Sequence, residues 1–291
     1  MSSTFDVGVR GGALRVGRWG DSGPVVLAVH GITGNHKQWA AVGERLAGRA
    51  QLVAPDLRGR GSSSSLPGPL GMATHAADMI AVLDHLGVDH CLVVGHSMGG
   101  YVAAVMAERH PDRVSSLLLI DGGPALPVAE EIDVDATIDA VLGPSIARLK
   151  TAFATRDDFI AQWRAHPALA DAWNPVVEGF IDYEIVGAEP ALRSSVSWEA
   201  MREDSIDTLV PGGPSQAVTR IDQPVLVLRA EAGMFGQPPG LLTDEVIDYV
   251  RARSPQLRDE LVPGTNHYTI VTSDHGAEFV ANHILSELAL T

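Results

Sequence analysis

A serine hydroxyl is a weak nucleophile until a base takes its proton, so the chemistry open to a serine is read from its surroundings. Ser97 lies in Gly95-His96-Ser97-Met98-Gly99, where the apolar run Cys91-Leu92-Val93-Val94 drives straight into the turn and a helical pattern from Gly100 to Arg109 leaves it. A serine at the tip of so tight a turn sits in a strained backbone conformation and needs neighbours without side chains, which the flanking glycines supply. The first N–H groups of the new helix point the same way as the hydroxyl. An oxyanion forming at Ser97 would therefore meet donors and the positive end of the helix dipole.

The elements that must position this turn follow from hydrophobic patterning. Phe5 to Val9 and Ala13 to Trp19 alternate around Gly11-Gly12, as an edge hairpin does, whereas Pro24 to Val29 is a continuous apolar run expected of a strand covered on both faces. Further strands are expected at Gln51–Ala54, Cys91–Val94, Ser116–Ile120, Pro224–Arg229 and Leu257–Val262. Helices are expected from Asn35 to Ala47, Met72 to Leu86, Thr243 to Ala252 and Gly276 to Leu288. Short apolar strands alternating with amphipathic helices predict a largely parallel sheet with helices on both faces, and ligands of such sheets bind beyond the carboxyl ends of the strands. His30, Ser97 and Asp121 all fall at such ends.

From Ala125 to about Arg220 the strand signal disappears. Helices are expected over 131–141, 145–154, 157–165, 175–186 and 191–202, interrupted by Pro144, Pro167, Pro175, Pro190 and Pro211. The chain thus divides into core residues 1–124, an all-helical lid at 125–220, and core residues 221–291. Phe153, Phe159, Trp163, Trp173, Phe180, Tyr183 and Trp198 lie in the lid; most are expected to pack its helices together, with some free to line an acyl pocket.

Composition narrows the function. With 36 acidic and 21 basic residues the formal charge is −15, which repels phosphate backbones and anionic headgroups, so no nucleic-acid partner is expected. The lone cysteine, Cys91, lies in an apolar strand and reads as a buried structural thiol. No stretch approaches the roughly 18 apolar residues of a membrane span, and the N-terminus lacks a basic start before an apolar core, so a cytoplasmic protein is expected. Neither H-E-x-x-H, paired C-x-x-C, a phosphate-binding G-x-x-x-x-G-K-[ST] nor a well-placed G-x-G-x-x-G occurs, so neither metal nor cofactor is expected. The basic stretch Arg58-Gly59-Arg60-Gly61 is expected to shape its loop rather than to cradle a phosphate.

The turn around Ser97 resembles the nucleophile elbow of the α/β-hydrolase family, in its lid-bearing serine hydrolase and esterase branch. The resemblance implies a mostly parallel sheet of about eight strands, flanked by helices, with a helical cap between strands six and seven. It also implies a base at His267, in Pro263-Gly264-Thr265-Asn266-His267 after the last strand, and oxyanion donors at the backbone amides of Ile32, after His30-Gly31, and Met98. The acid is less direct: the loop where relatives usually carry an aspartate has Gly233 at that place, leaving Asp121 and Glu231 as the two candidates. His96 and His30 are read as scaffold. The expected activity is cleavage of a carboxylic ester, lactone or thioester of a small, partly apolar molecule through an acyl-enzyme. Alternatives are carbon–carbon bond hydrolysis by the same residues and a small-molecule receptor on the same fold; association into a homodimer stays open.

Overall fold

Apolar runs too long to alternate become strands with both faces covered. The computed structural model describes residues 2–124, 133–210 and 212–290 of the 291 in the chain. Its first part comprises β1 (Ser2–Val9), β2 (Gly12–Trp19), β3 (Val25–Val29), α1 (Ala40–Leu46), β4 (Gln51–Pro55), α2 (Met72–Leu86), β5 (Cys91–His96), α3 (Met98–Arg109) and β6 (Val114–Ile120). Between β6 and the next strand of the main sheet lie α4 (Val134–Leu149), α5 (Arg156–Arg164), α6 (Pro175–Asp182), β7 (Ile185–Val186), β8 (Arg193–Ser194) and α7 (Trp198–Leu209). The chain then closes with β9 (Val225–Ala232), α8 (Asp244–Arg251), β10 (Leu257–Asn266), α9 (Thr269–Thr272) and α10 (Asp274–Leu288).

Eight strands form one sheet in the order β1-β2-β4-β3-β5-β6-β9-β10, antiparallel at β1, β2 and β4 and parallel from β4 onward. Side chains of the central strands alternate between two cores. Leu27, Val29, Val93, Leu117, Leu119, Val225 and Val227 pack with α2, α3 and α8; Val26, Ala28, Leu92, Val94, Leu118, Ile120, Leu226 and Leu228 pack with α1 and α10. Burying each such aliphatic side chain contributes about 1.5–3 kcal/mol, and the doubly covered sheet makes the strand ends beyond it rigid supports. Cys91 is buried, and burial pushes its thiol up to about 12, which suits a structural role.

The segment between β6 and β9 departs from the expected all-helical pattern in four places, the first being that the helix expected over 145–154 ends at Leu149, because Phe153 pairs with Leu192 in an antiparallel bridge. Pro144 does not divide two helices: α4 runs through it, because Ile138, Leu142 and Ile146, spaced four apart, fill one apolar cluster with Val196 and Met201 on both sides of the proline. Packing there outweighs the roughly 3 kcal/mol that proline costs inside a helix. Residues 131 and 132 of the expected helix lie outside the described residues. The helix expected over 175–186 ends at Asp182, and the one expected over 191–202 starts only at Trp198, since Ile185–Val186 pairs with Arg193–Ser194 as a small antiparallel ladder. The Ser197 side chain accepts from the Ala200 N–H and so sets the start of α7.

Candidate active site

Strand β5 delivers Ser97 to the carboxyl edge of the sheet and α3 begins at the next residue, leaving Ser97 at φ 55° and ψ −124°, a conformation that only a tightly determined turn sustains. The flanking glycines are required by space. A Cβ on Gly95 would meet the Gly99 carbonyl oxygen at 2.3 Å, and one on Gly99 would meet the Val29 carbonyl oxygen at 2.2 Å. The turn is pinned by the Ser97 N–H donating to the Ile120 carbonyl at 2.9 Å.

Three strands along the sheet from β5, β10 stops one residue before His267. Its Nδ1 donates to Asp121 Oδ2 at 2.7 Å, and Asp121, immediately after β6, also accepts the Ala230 N–H on Oδ1 at 3.2 Å. Both members of the pair are buried, and Asp121 is itself held at a positive φ of 45°. Glu231 is turned elsewhere: its exposed carboxylate accepts the Gly264 N–H at 2.7 Å. The two candidate acids therefore stand in different environments, and Asp121 is the one paired with the imidazole. With Nδ1 committed, Nε2 is the ring nitrogen of His267 left to exchange a proton. Ser97 Oγ has no hydrogen-bond partner among the described residues.

His96 and His30 hold the frame around these groups. His96 Nε2 donates to the His267 carbonyl at 2.8 Å while the Gln38 amide donates to His96 Nδ1 at 3.3 Å, an arrangement that needs a neutral ring. Burial, reinforced by the neighbouring His267, keeps His96 well below its usual range. His30 Nδ1 donates to the Gly31 carbonyl at 2.7 Å and its Nε2 accepts the Leu57 N–H at 2.9 Å; burial lowers its pKa to about 4. Since carbonyl and N–H point oppositely across a trans peptide, fixing the Gly31 carbonyl also fixes the direction of the Ile32 N–H. A Cβ on Gly31 would lie 3.5 Å from Ser97 Oγ, so this loop and the serine adjoin. Neither the Ile32 nor the Met98 N–H has an acceptor among the described residues.

The neutral His30 has a measurable consequence. Unfolded, it takes a proton near its ordinary value of 6.5; folded, it resists until about 4, so the folded state loses about 3 kcal/mol from this group as pH falls through that window. Urea midpoints measured from pH 7 to 4 should drop over that interval, and His30→Gln should flatten the slope. An equally steep slope in the variant would show that other groups control it.

These residues share a cavity of about 270 Å³. Ser97, His267, Ile32 and Met98 are among its lining residues, and Ile138, Leu142, Leu209, Met234 and Leu241 add apolar wall. Of the seven aromatic residues singled out between β6 and β9, only Phe180 reaches the lining; Phe153, Phe159 and Trp163 pack with one another and with Phe180. No lysine, arginine, aspartate or glutamate is among the described lining residues. Residues 125–132, outside the described set, contain Glu130 and Glu131 and no cation.

Sequence patterning missed a second cluster beside the site. Arg58 and Arg60 are both buried: Arg58 makes a bidentate pair with Asp78, and Arg60 pairs with Asp204 of α7, which also accepts from His75 Nε2 at 2.9 Å and the Gly71 N–H at 2.7 Å. Both guanidinium groups are thus committed inside the protein, consistent with a loop-shaping role. Asp56 accepts His36 Nδ1 and the Tyr183 hydroxyl, each at 2.8 Å. No periodicity signals such long-range charge pairs; the only sign in the sequence is a dense run of Arg and Asp in an otherwise apolar setting.

A sequence-family model described as alpha/beta hydrolase fold matches residues 24–176. Curated relatives include lipase LipV of Mycobacterium tuberculosis, 33% identical over 177 residues, covering 60% of this chain and 62% of that protein. A 2-(acetamidomethylene)succinate hydrolase of Mesorhizobium japonicum is 27% identical over 253 residues, covering 85% of this chain and 82% of the other. The chain spans about a third of the length of the first curated relatives it matches, uncharacterized mycobacterial proteins 38% identical over 112 residues. Among solved structures, that of E-2-(acetamidomethylene)succinate hydrolase superimposes with a TM-score of 0.81 at 23% identity, covering 99% of this chain and 100% of the other, a likeness of fold. Strand order, the turn at Ser97 and the matched span agree, and the chain belongs to the alpha/beta hydrolase fold family.

Proposed function

We propose that the protein is a serine hydrolase that cleaves carboxylic esters or thioesters of small, uncharged, partly apolar acids through an acyl-enzyme. The reading rests on one observation: Ser97, on its strained turn, and His267, paired with Asp121, face the same apolar cavity. Ser97 Oγ attacks the acyl carbon while its proton passes to His267 Nε2, and Asp121 stabilises the resulting imidazolium. The negative oxygen is received by the Ile32 and Met98 N–H groups, each such donor being typically worth about a hundredfold to a thousandfold. Collapse expels the alcohol or thiol, which takes the proton from His267. Water then repeats the sequence with His267 as base and releases the acid. Residues 125–220 act as a cap whose α4 and α7 close the acyl end.

None of the described lining residues is a lysine or arginine, which supports an uncharged acyl group. A carboxylate on the acyl group, such as a succinyl group carries, would be buried without a countercharge, which costs several kcal/mol. A fluorophosphonate probe should label Ser97, read by peptide mass. p-Nitrophenyl pentanoate should be cleaved at least about a hundredfold faster than the similarly sized p-nitrophenyl hydrogen succinate. Failure to label folded protein would remove the hydrolase reading; labelling with equal rates on both esters would remove only the charge preference.

A further inference from the structure

The Arg60 guanidinium is fully buried, and its three hydrogen bonds run to three different segments. Nε donates to the Ile32 carbonyl at 2.9 Å, and Nη1 donates both to the Arg58 carbonyl at 2.8 Å and to Asp204. Asp204 is in turn fixed by His75 and the Gly71 N–H, and it lies on α7, whose next residue, Ser205, lines the cavity together with Thr208 and Leu209. Ile32 is therefore gripped on both sides. His30 fixes the peptide before it, and Arg60 fixes the peptide after it.

Stability alone is a poor account of this arrangement. A buried ion pair recovers its desolvation cost only when every polar atom is satisfied, and Arg60 Nη2 is buried without a partner. What the guanidinium does is hold geometry: it is the strut between the backbone that would receive the oxyanion and the helix that walls the acyl end. We infer that Arg60 is a positioning residue for the oxyanion donor Ile32, and that Asp204 sets Arg60, tying placement of the cap helix α7 to competence of the oxyanion site. This rests on the hydrolase reading above.

Arg60→Lys and Asp204→Asn test it, with active sites titrated by slow fluorophosphonate labelling so that misfolded protein is not counted. With p-nitrophenyl pentanoate, Arg60→Lys should lose about tenfold to a hundredfold in kcat per titrated site while KM stays within about threefold, as for a displaced rather than deleted donor. Binding of a trifluoromethyl ketone, whose serine adduct carries the oxyanion, should weaken in parallel. Asp204→Asn, which keeps an acceptor for the Gly71 N–H, should lose about threefold to tenfold and carries the test alone if Arg60→Lys does not fold. Amide hydrogen exchange at Gly34, whose N–H donates to the Gly31 carbonyl at 2.9 Å in the turn that carries Ile32, should accelerate in both variants. Unchanged kcat per site, unchanged ketone affinity and unchanged exchange, whatever happens to the melting temperature, would overturn the inference. A wild-type protein that neither turns over esters nor takes the phosphonate would overturn the hydrolase reading instead, while faster Gly34 exchange in the variants would still uphold the strut.

Discussion

Asparagine at position 121 is expected to lower ester turnover by about ten-thousandfold, the drop typical when the acid beside a catalytic histidine loses its charge but keeps its shape. The reason is tautomeric. Asp121 Oδ2 accepts the His267 Nδ1 proton at 2.7 Å, and its Oδ1 accepts the Ala230 N–H at 3.2 Å. An asparagine that keeps its oxygen toward Ala230 presents its NH2 to Nδ1, so Nδ1 must become the acceptor and the ring proton moves to Nε2. The nitrogen facing the cavity is then no longer a base. Glu231→Gln is the matched control: its carboxylate is exposed and bound to the Gly264 N–H, so its rate should stay within about threefold of wild type. Near-wild-type rates for both variants would remove Asp121 and Glu231 together from the mechanism.

Loss of the hydroxyl of Ser97, the proposed nucleophile, is expected to cost still more, about a millionfold in kcat, and the two ways of removing it should differ in stability. Ser97→Ala deletes the hydroxyl but keeps a side chain at φ 55°, whereas Ser97→Gly deletes it and also relieves the strained backbone. Strain of this kind costs about 1–3 kcal/mol, part of which glycine gives back through its larger unfolded-state entropy. The glycine variant should therefore melt a few degrees above the alanine variant while both are inactive. A higher melting temperature for Ser97→Ala would show that the turn holds no strain at this residue.

How much of this was legible depends on the range of the interactions involved. The strands around Ser97 were readable because their signal is local: a continuous apolar run, then glycines that a close backbone approach demands. Which of Asp121 and Glu231 pairs with His267 was not, because Asp121 and His267 meet across β9, from strands that are not neighbours, 146 residues apart in sequence. It also turned on where β9 ends. The apolar run stops at Leu228, but the strand continues to Ala232, so Glu231 is a strand residue whose side chain points away from its neighbours Ala230 and Ala232 and out to Gly264. The helices between β6 and β9 were misjudged at Pro144 and Ala191 because packing of Ile138, Leu142 and Ile146 in one case, and pairing of β7 with β8 in the other, override local preference. The Arg60–Asp204 cluster has no periodic signature, since each member is recruited from a different segment.

The loop after β4 gives the segment between β6 and β9 a footing that is not contiguous with it in sequence. Asp56 accepts from the Tyr183 hydroxyl, the Gly59 carbonyl accepts the Ser197 N–H at 2.8 Å, and Arg60 donates to Asp204, so residues 56–60 meet that segment at three separate points. A Cβ on Gly59 would lie 2.3 Å from the Ala200 Cβ, so even the smallest side chain there would press on α7. The unit that recombination or engineering can exchange is therefore split. A chimera that exchanges the segment between β6 and β9 is therefore expected to keep its fold only when the six-residue stretch Asp56-Leu57-Arg58-Gly59-Arg60-Gly61 is exchanged with it.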